Sequence, residues 1–193
     1  MSAYQLFLFV HVAAAIAWVG AACLQVALGV RVVRAGDPSR TLAFARDAAW
    51  TGLRLYLPAN LLVLVSGLLL VHEGGFGYGT LWIDVGLVGW ALSVATGAAV
   101  LGPGWGAAVQ TDDPEGAGAA RLTHAVRRLV LVTNVDLAVL TGVVFAMAVR
   151  PTADQGAELV AGAVAVVAVL GLAARLLGGV KAATPAAGPS AAR

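Results

Sequence analysis

The chain has 193 residues, 60% of them hydrophobic and 11% charged, with a mean hydropathy of +0.89 and a formal charge of +2. Soluble domains are about 45–50% apolar and about 25% charged, so this composition excludes an ordinary soluble domain and points to an integral membrane protein. The single cysteine, Cys23, excludes a disulfide within these residues and any cysteine-based metal cluster.

A membrane-spanning helix needs about 20 mostly apolar residues. The expected fold is therefore all-α, a polytopic bundle forming one transmembrane domain over residues 1–180. The first apolar run is Tyr4–Val33. Its "GAAC" before Leu24 faintly resembles a lipoprotein cleavage site. No Lys or Arg precedes the run, and it stays apolar to Val33, so it reads as a retained helix rather than a signal peptide. "RAGDPSR" breaks the chain next. Residues 37–53, "DPSRTLAFARDAAWTGL", fit two readings equally. One is an amphipathic surface helix, with Leu42, Phe44 and Trp50 dipping into the interface and Arg40 and Arg46 near anionic headgroups. The other is an ordinary connection.

Arg54–Val71 forms the second run, closed by "HEGGFGYG", and Leu81–Leu101 the third, closed by "GPGWGAAVQTDDPEGAG". Leu129–Val149 is the fourth, followed by "RPTADQG", and Glu158–Leu177 is the fifth, a peripheral packing helix. Each break is rich in Gly, Pro or Asp, residues that end helices and make turns. The tail, residues 181–193, is of low complexity and is expected to be disordered.

Basic residues give the orientation. Arg31, Arg34, Arg40, Arg46 and Arg54 flank the first connection, and Arg121, Arg127 and Arg128 flank the third. Arg175, Lys181 and Arg193 lie at the C-terminal end. Of the 12 Lys and Arg residues, only Arg150 falls on the other side. Basic residues concentrate in cytoplasmic loops, so five spans with the N-terminus outside and the C-terminus inside a bacterial inner membrane satisfy the pattern. Basic residues that follow topology in this way do not form a nucleic-acid face.

Small residues mark expected helix contacts: Ala13, Ala17 and Ala21 on the first span, and Gly86, Trp90, Ser93 and Gly97 on the third. Polar side chains inside spans are costly and face the bundle interior or a cavity. His11, Trp18 and Gln25 recur every seven residues and share one face of the first helix. Asn60 and Gly67 share a face of the second span, where Pro58 disturbs the helix. Judged by depth, His11, His72, Glu73 and Asp84 converge near the outer leaflet. Gln25, Asn60, Asn134 and Asp136 form a second polar cluster nearer the middle. His124, beside Arg127 and Arg128, is interfacial.

The stretch "FVHVAAAIAWVGAA" resembles the opening helix of CopD-like membrane proteins, and "LPANLLVLVSGLLLVHEGG" is similar to their second helix. "TNVDLAVLTGVVFAMAVRP" resembles the closing helix of the DUF2269-type bacterial membrane family. The similarity extends distantly to HemJ-type protoporphyrinogen oxidases. In those proteins the first-helix His is a haem ligand, which implies that role for His11. They also use a third-helix Lys after a Trp, and here Trp82-Ile83-Asp84-Val85 has no Lys.

Three functions stay open. The first is a membrane redox or metal-handling protein holding b-type haem or copper. In it His11 is a ligand, His72 a second ligand, Asp84 an acceptor that orients a ring N–H, and Trp18 a wall. The second is a small-cation or proton permease component, with Asp84, His11, Asn60 and Asp136 along its path. The third is a scaffold or accessory subunit without chemistry. The expected surroundings are the lipid bilayer, with a second copy or other membrane subunits as partners. The sequence carries no P-loop, Gly-x-Ser-x-Gly, His-Glu-x-x-His or Cys-x-x-Cys motif, so no enzyme class is indicated.

Overall fold

The computed structural model describes residues 2–114, 116–152, 154–155, 159, 161–169 and 171. Four long helices are built from them, each long and apolar enough to cross a membrane: α1 (Ala3–Ala35), α2 (Pro38–Glu73), α3 (Leu81–Val109) and α4 (Ala119–Val149). The fifth predicted span, Glu158–Leu177, lies largely outside the described residues. Within it, residues 161–169 are helical, and Gly162 lets that segment approach the Phe145 ring of α4. Tail residues 181–193 also lie outside the described set.

The helix ends follow local chemistry. Ser2 and Gln5 form a reciprocal capping box at the start of α1: the Gln5 N–H donates to Ser2 Oγ at 3.2 Å, and the Ser2 N–H donates to Gln5 Oε1 at 3.0 Å. Gly36, at φ 66°, closes α1 in the left-handed conformation. Asp37 then caps α2, accepting from the Ser39 and Arg40 N–H groups, with Pro38 in the first turn. The Ser39 hydroxyl, helped by the Arg40 N–H, holds the Asp37 carboxyl below its ordinary pKa.

Pro58, expected to disturb the second span, and Pro103, expected to lie in a break, are both absorbed into helices. Within α2 the residues Gly52–Tyr56 form a π turn, in which the Leu57 N–H reaches back to Gly52 O, immediately before Pro58. Within α3, Gly97–Leu101 does the same: the Gly102 N–H reaches Gly97 O just before Pro103. An α-helical proline would clash with the carbonyl four residues back. The wider turn relieves that clash and lets each helix continue. So α3 runs on to Val109, through the Gly-Pro-Gly segment read above as a break, and α4 begins at Ala119, ten residues before the expected Leu129.

The end of the bundle that carries the first and third connections, here called the basic end, holds the dense core. Val26, Val30, Phe44, Ala45, Trp105, Leu122, Val126 and Val130 are buried together there. Phe44 meets Trp105 edge-on, with centroids 5.7 Å apart and planes at 83°. Phe44 is therefore a core residue and does not dip into an interface, whereas Trp50 is exposed. Residues 37–53 are helical, but their apolar face packs on α3 and α4. At 33 residues, α1 is about 50 Å long against a hydrocarbon core of about 30 Å, so part of the bundle projects beyond the lipid. Further along, Phe9 and Ile16 of α1, Leu61 and Val65 of α2, Val88 of α3 and Val135 of α4 point outward, as lipid-facing residues do.

The buried face of α1 is Ala14, Trp18, Ala22, Gln25, Val26 and Gly29. That is the expected His11–Trp18–Gln25 face. The Ala13, Ala17, Ala21 stripe is not the contact: Ala13 is exposed and the other two are half-buried. On α3, Gly86, Gly89 and Ser93 are buried, and Gly89 lets Val143 of α4 approach.

At Gly29, α1 approaches its neighbours closely. A Cβ there would lie 2.4 Å from Val130 Cγ2 and 3.0 Å from Phe44 Cζ. Gly29→Val is expected to destabilise the protein by about 1–3 kcal/mol through overpacking. Gly20→Ala, where a Cβ meets nothing within 4 Å, is expected to change stability by less than about 0.5 kcal/mol. Thermal unfolding in detergent compares the two, and equal midpoints would show that α1 and α4 do not close there.

Candidate functional site

Away from the basic end the bundle is looser. The first half of α3 hardly touches the second half of α2, although both pack on their other neighbours. The space left between the helices is a cavity of about 600 Å³, walled by all four helices. Small-molecule and cofactor sites span about 300–1,000 Å³. The lining is almost wholly apolar. Trp18, Trp82 and Trp90 are among its walls, Gly67 admits the His11 ring and Gly86 the Met147 methyl, and His11, Met147, Arg150 and Tyr4 bring polar or sulfur atoms.

His11 is placed by its backbone periodicity, seven residues before the buried Trp18. Its ring lies against Gly67, where a Cβ would be 3.1 Å from His11 Cε1. His11 Nδ1 lies 3.0 Å from Val63 O and 3.2 Å from Ser66 Oγ. A carbonyl oxygen only accepts, so Nδ1 carries the proton and donates. The Ser66 hydroxyl donates to Leu62 O, so its oxygen is free to accept from His11 as well. The neutral ring then presents Nε2 as a bare acceptor. Among the described residues nothing hydrogen-bonds to Nε2, and no polar side-chain atom is both buried and unpartnered. This imidazole, fixed through one nitrogen and accessible through the other, lines the cavity.

The expected convergence around His11 does not form. His72 and Glu73 are exposed in the last turn of α2, and neither lines the cavity. Val71, one residue earlier, takes the inward position. Asp84 is exposed and lies along a different groove, shared with Val139, Pro151 and Leu159. Two residues along a helix rotate a side chain by about 200°, so Trp82 and Gly86 facing the cavity turn Asp84 away from it. Trp18 is 5% exposed and sits in the wall, as expected. The walls contributed by Phe76, Trp82, Met147 and Arg150 were not anticipated. The only signal for them is that Arg150 stands alone among the basic residues on its side.

The second polar cluster separates into pairs, each joining two helices. Tyr56 of α2 donates to Gln25 Oε1 of α1 at 2.8 Å. Trp90 Nε1 of α3 donates to Asn60 Oδ1 of α2 at 2.9 Å. Ser93 of α3 donates to Asp136 Oδ2 of α4 at 2.9 Å. Asn134 is buried on α4, where Thr133 turns its hydroxyl back to Leu129 O at 2.9 Å. Among the described residues no group of three or more His, Cys, Asp or Glu side chains is arranged to hold a metal ion.

Four long apolar helices around a ligand-sized, histidine-bearing cavity define a polytopic membrane protein. The chain belongs to the family of predicted integral membrane proteins designated DUF2269, whose model matches residues 5–151. Of the cavity walls, only Tyr4 lies outside the matched stretch. Among curated proteins and among solved structures, none matches the chain.

Hydrogen bonds between membrane helices contribute about 0.6 kcal/mol on average and up to about 1.7 kcal/mol. A double-mutant cycle of Ser93→Ala and Asp136→Leu is expected to show a coupling in that range by thermal unfolding. Asp136→Asn, which retains an acceptor, is expected to keep most of it. A coupling of zero would mean that α3 and α4 are not joined through this pair.

Proposed function

We propose that this protein is a haem-binding protein of the bacterial inner membrane, with five spans and its N-terminus outside, in which His11 Nε2 would hold the iron. The carrying observation is the His11 ring, whose Nδ1–H is engaged by Val63 O while Nε2 is left to an apolar cavity of about 600 Å³. The donor set favours haem over a bare copper ion. A porphyrin brings four nitrogen donors and asks the protein for one or two more. A copper site would need its ligands from the protein, and the cavity walls offer His11, the Met147 thioether and the Tyr4 phenol, too few soft donors for copper. Trp18, Trp82 and Trp90 among the walls would suit a flat ring, and the Met147 thioether is the second donor that could hold the group.

Bound haem would supply one-electron redox chemistry at its iron. This chain's residues would do the rest. Val63 fixes the His11 tautomer, Gly67 lets the ring lie close to α2, and the apolar wall excludes water. The resemblance of "FVHVAAAIAWVGAA" to the first helix of CopD-like proteins, and distantly of HemJ-type ones, read from the sequence, would assign the same residue. The interhelical pairing of Gln25, Asn60 and Asp136 supports a structural role for them rather than an ion path.

The test is the visible spectrum of detergent-purified protein from haem- and copper-replete cells, oxidised and then dithionite-reduced, with metal analysis of the same sample. A Soret band that sharpens and shifts on reduction is expected, and His11→Ala should abolish it while the protein still inserts. His72→Ala should leave it unchanged. Stoichiometric copper without a Soret band would replace this reading with metal handling, and a colourless, metal-free protein would end both.

A further inference from the structure

Arg150 stands apart from the other basic residues. It follows α4 at the end of the bundle opposite the basic core, and its backbone is in the left-handed region at φ 53°, with its N–H bonded to Ala146 O at 2.9 Å. Glycine is the usual residue in such a cap. An arginine there fixes where a long cationic side chain departs. The guanidinium carbon lies 4.9 Å from the Trp82 ring centroid and 5.3 Å from that of Phe76. These rings are themselves packed edge-to-face, at 5.3 Å and 84°. All three residues line the cavity that holds His11. Among the described residues no carboxylate is paired with Arg150.

A guanidinium held over aromatic faces keeps its N–H donors in its own plane, available to a planar partner. We propose that Arg150, Phe76 and Trp82 form a carboxylate-binding site at the rim of the cavity, and that the ligand is an amphiphile with an apolar body and a carboxylate head. The body occupies the tryptophan-walled space, and the head pairs with the arginine fork through two parallel N–H···O bonds. The fork meets two oxygens of a carboxylate or of a phosphate with the same geometry, so the experiment below sets a carboxylate amphiphile against a lipid phosphate. The inference rests on the cavity being a ligand site, as above, but not on iron coordination by His11. A porphyrin with acidic side chains and a long-chain fatty acid both meet its terms.

The cavity tryptophans supply the readout. Full-length protein in neutral phosphatidylcholine nanodiscs at pH 8 is titrated with dibromostearic acid and, separately, with its methyl ester, each a quencher of Trp18, Trp82 and Trp90. Saturable quenching by the acid is expected at a concentration about tenfold lower than by the ester, the factor for a charge-assisted hydrogen bond. Arg150→Met should remove the difference, and His11→Ala should preserve it. Equal quenching by acid and ester in the wild-type protein overturns the proposal without recourse to any variant, as does a preference that survives in a folded Arg150→Met protein. Displacement of the acid by phosphatidylglycerol at comparable mole fraction would assign the site to a lipid phosphate and also overturn it. A protein that shows no Soret band yet discriminates acid from ester would lose the haem reading and keep this one.

Discussion

The architecture depends on how two membrane helices accommodate proline. Pro58 and Pro103 each sit one residue beyond a π turn, on antiparallel helices, near the boundary between the dense core and the cavity. A π turn adds a residue to the local repeat and shifts the faces that follow it. On the basic side of these turns α2 and α3 pack on each other, with Phe44 against Trp105. On the far side they scarcely meet, and the cavity occupies the difference. An uninterrupted α-helix in either place would carry its apolar face past that point without the shift.

The two ends of the bundle are held by different forces. Where the helices leave the hydrocarbon, burying Val126, Val130 and Leu122 removes apolar surface from water, and the packing is correspondingly dense. Within the lipid that drive is absent, and small residues and hydrogen bonds between helices take over. Gly86 and Gly89 seat α3 on α4, while Tyr56–Gln25, Trp90–Asn60 and Ser93–Asp136 fix register. A loosely driven, hydrogen-bonded region can hold a cavity of ligand size that a water-driven core would collapse.

Much of this was legible in the residues. The heptad of His11, Trp18 and Gln25 located the inward face of α1, because a seven-residue repeat on a single helix needs no knowledge of its neighbours. The chemistry of Asn60 and Asp136 foretold that they would be buried and bonded. What failed was anything depending on rotation or continuity. Asp84 and His72 matched His11 in depth, but depth along the axis does not say which way a side chain points. The Gly-Pro-Gly after Leu101 reads as a helix end by local preference, yet a tertiary partner, Leu129 against Gly104, rewards its continuing as helix. The segments "TGLRLYLP" and "TGAAVLGP" share Thr, Gly and Pro at the same spacing, and that repeat marks both π turns. The Arg150 cage could not be assembled from the sequence, since Phe76 and Trp82 lie far before Arg150 in the chain and only the fold brings them together.

The rim of the cavity includes Val12 and Ile16 of α1, Leu68 of α2 and Val144 of α4, and all four are exposed on the outside of the bundle. In a membrane these residues touch acyl chains, so on this side the cavity faces the lipid, while Arg150 stands at its end. Occupancy is then governed by the ligand's mole fraction among the lipids. Two compounds of equal affinity for the cavity will saturate it at very different aqueous concentrations if they partition differently. For a ligand that entered between these residues, the bilayer would act as the reservoir.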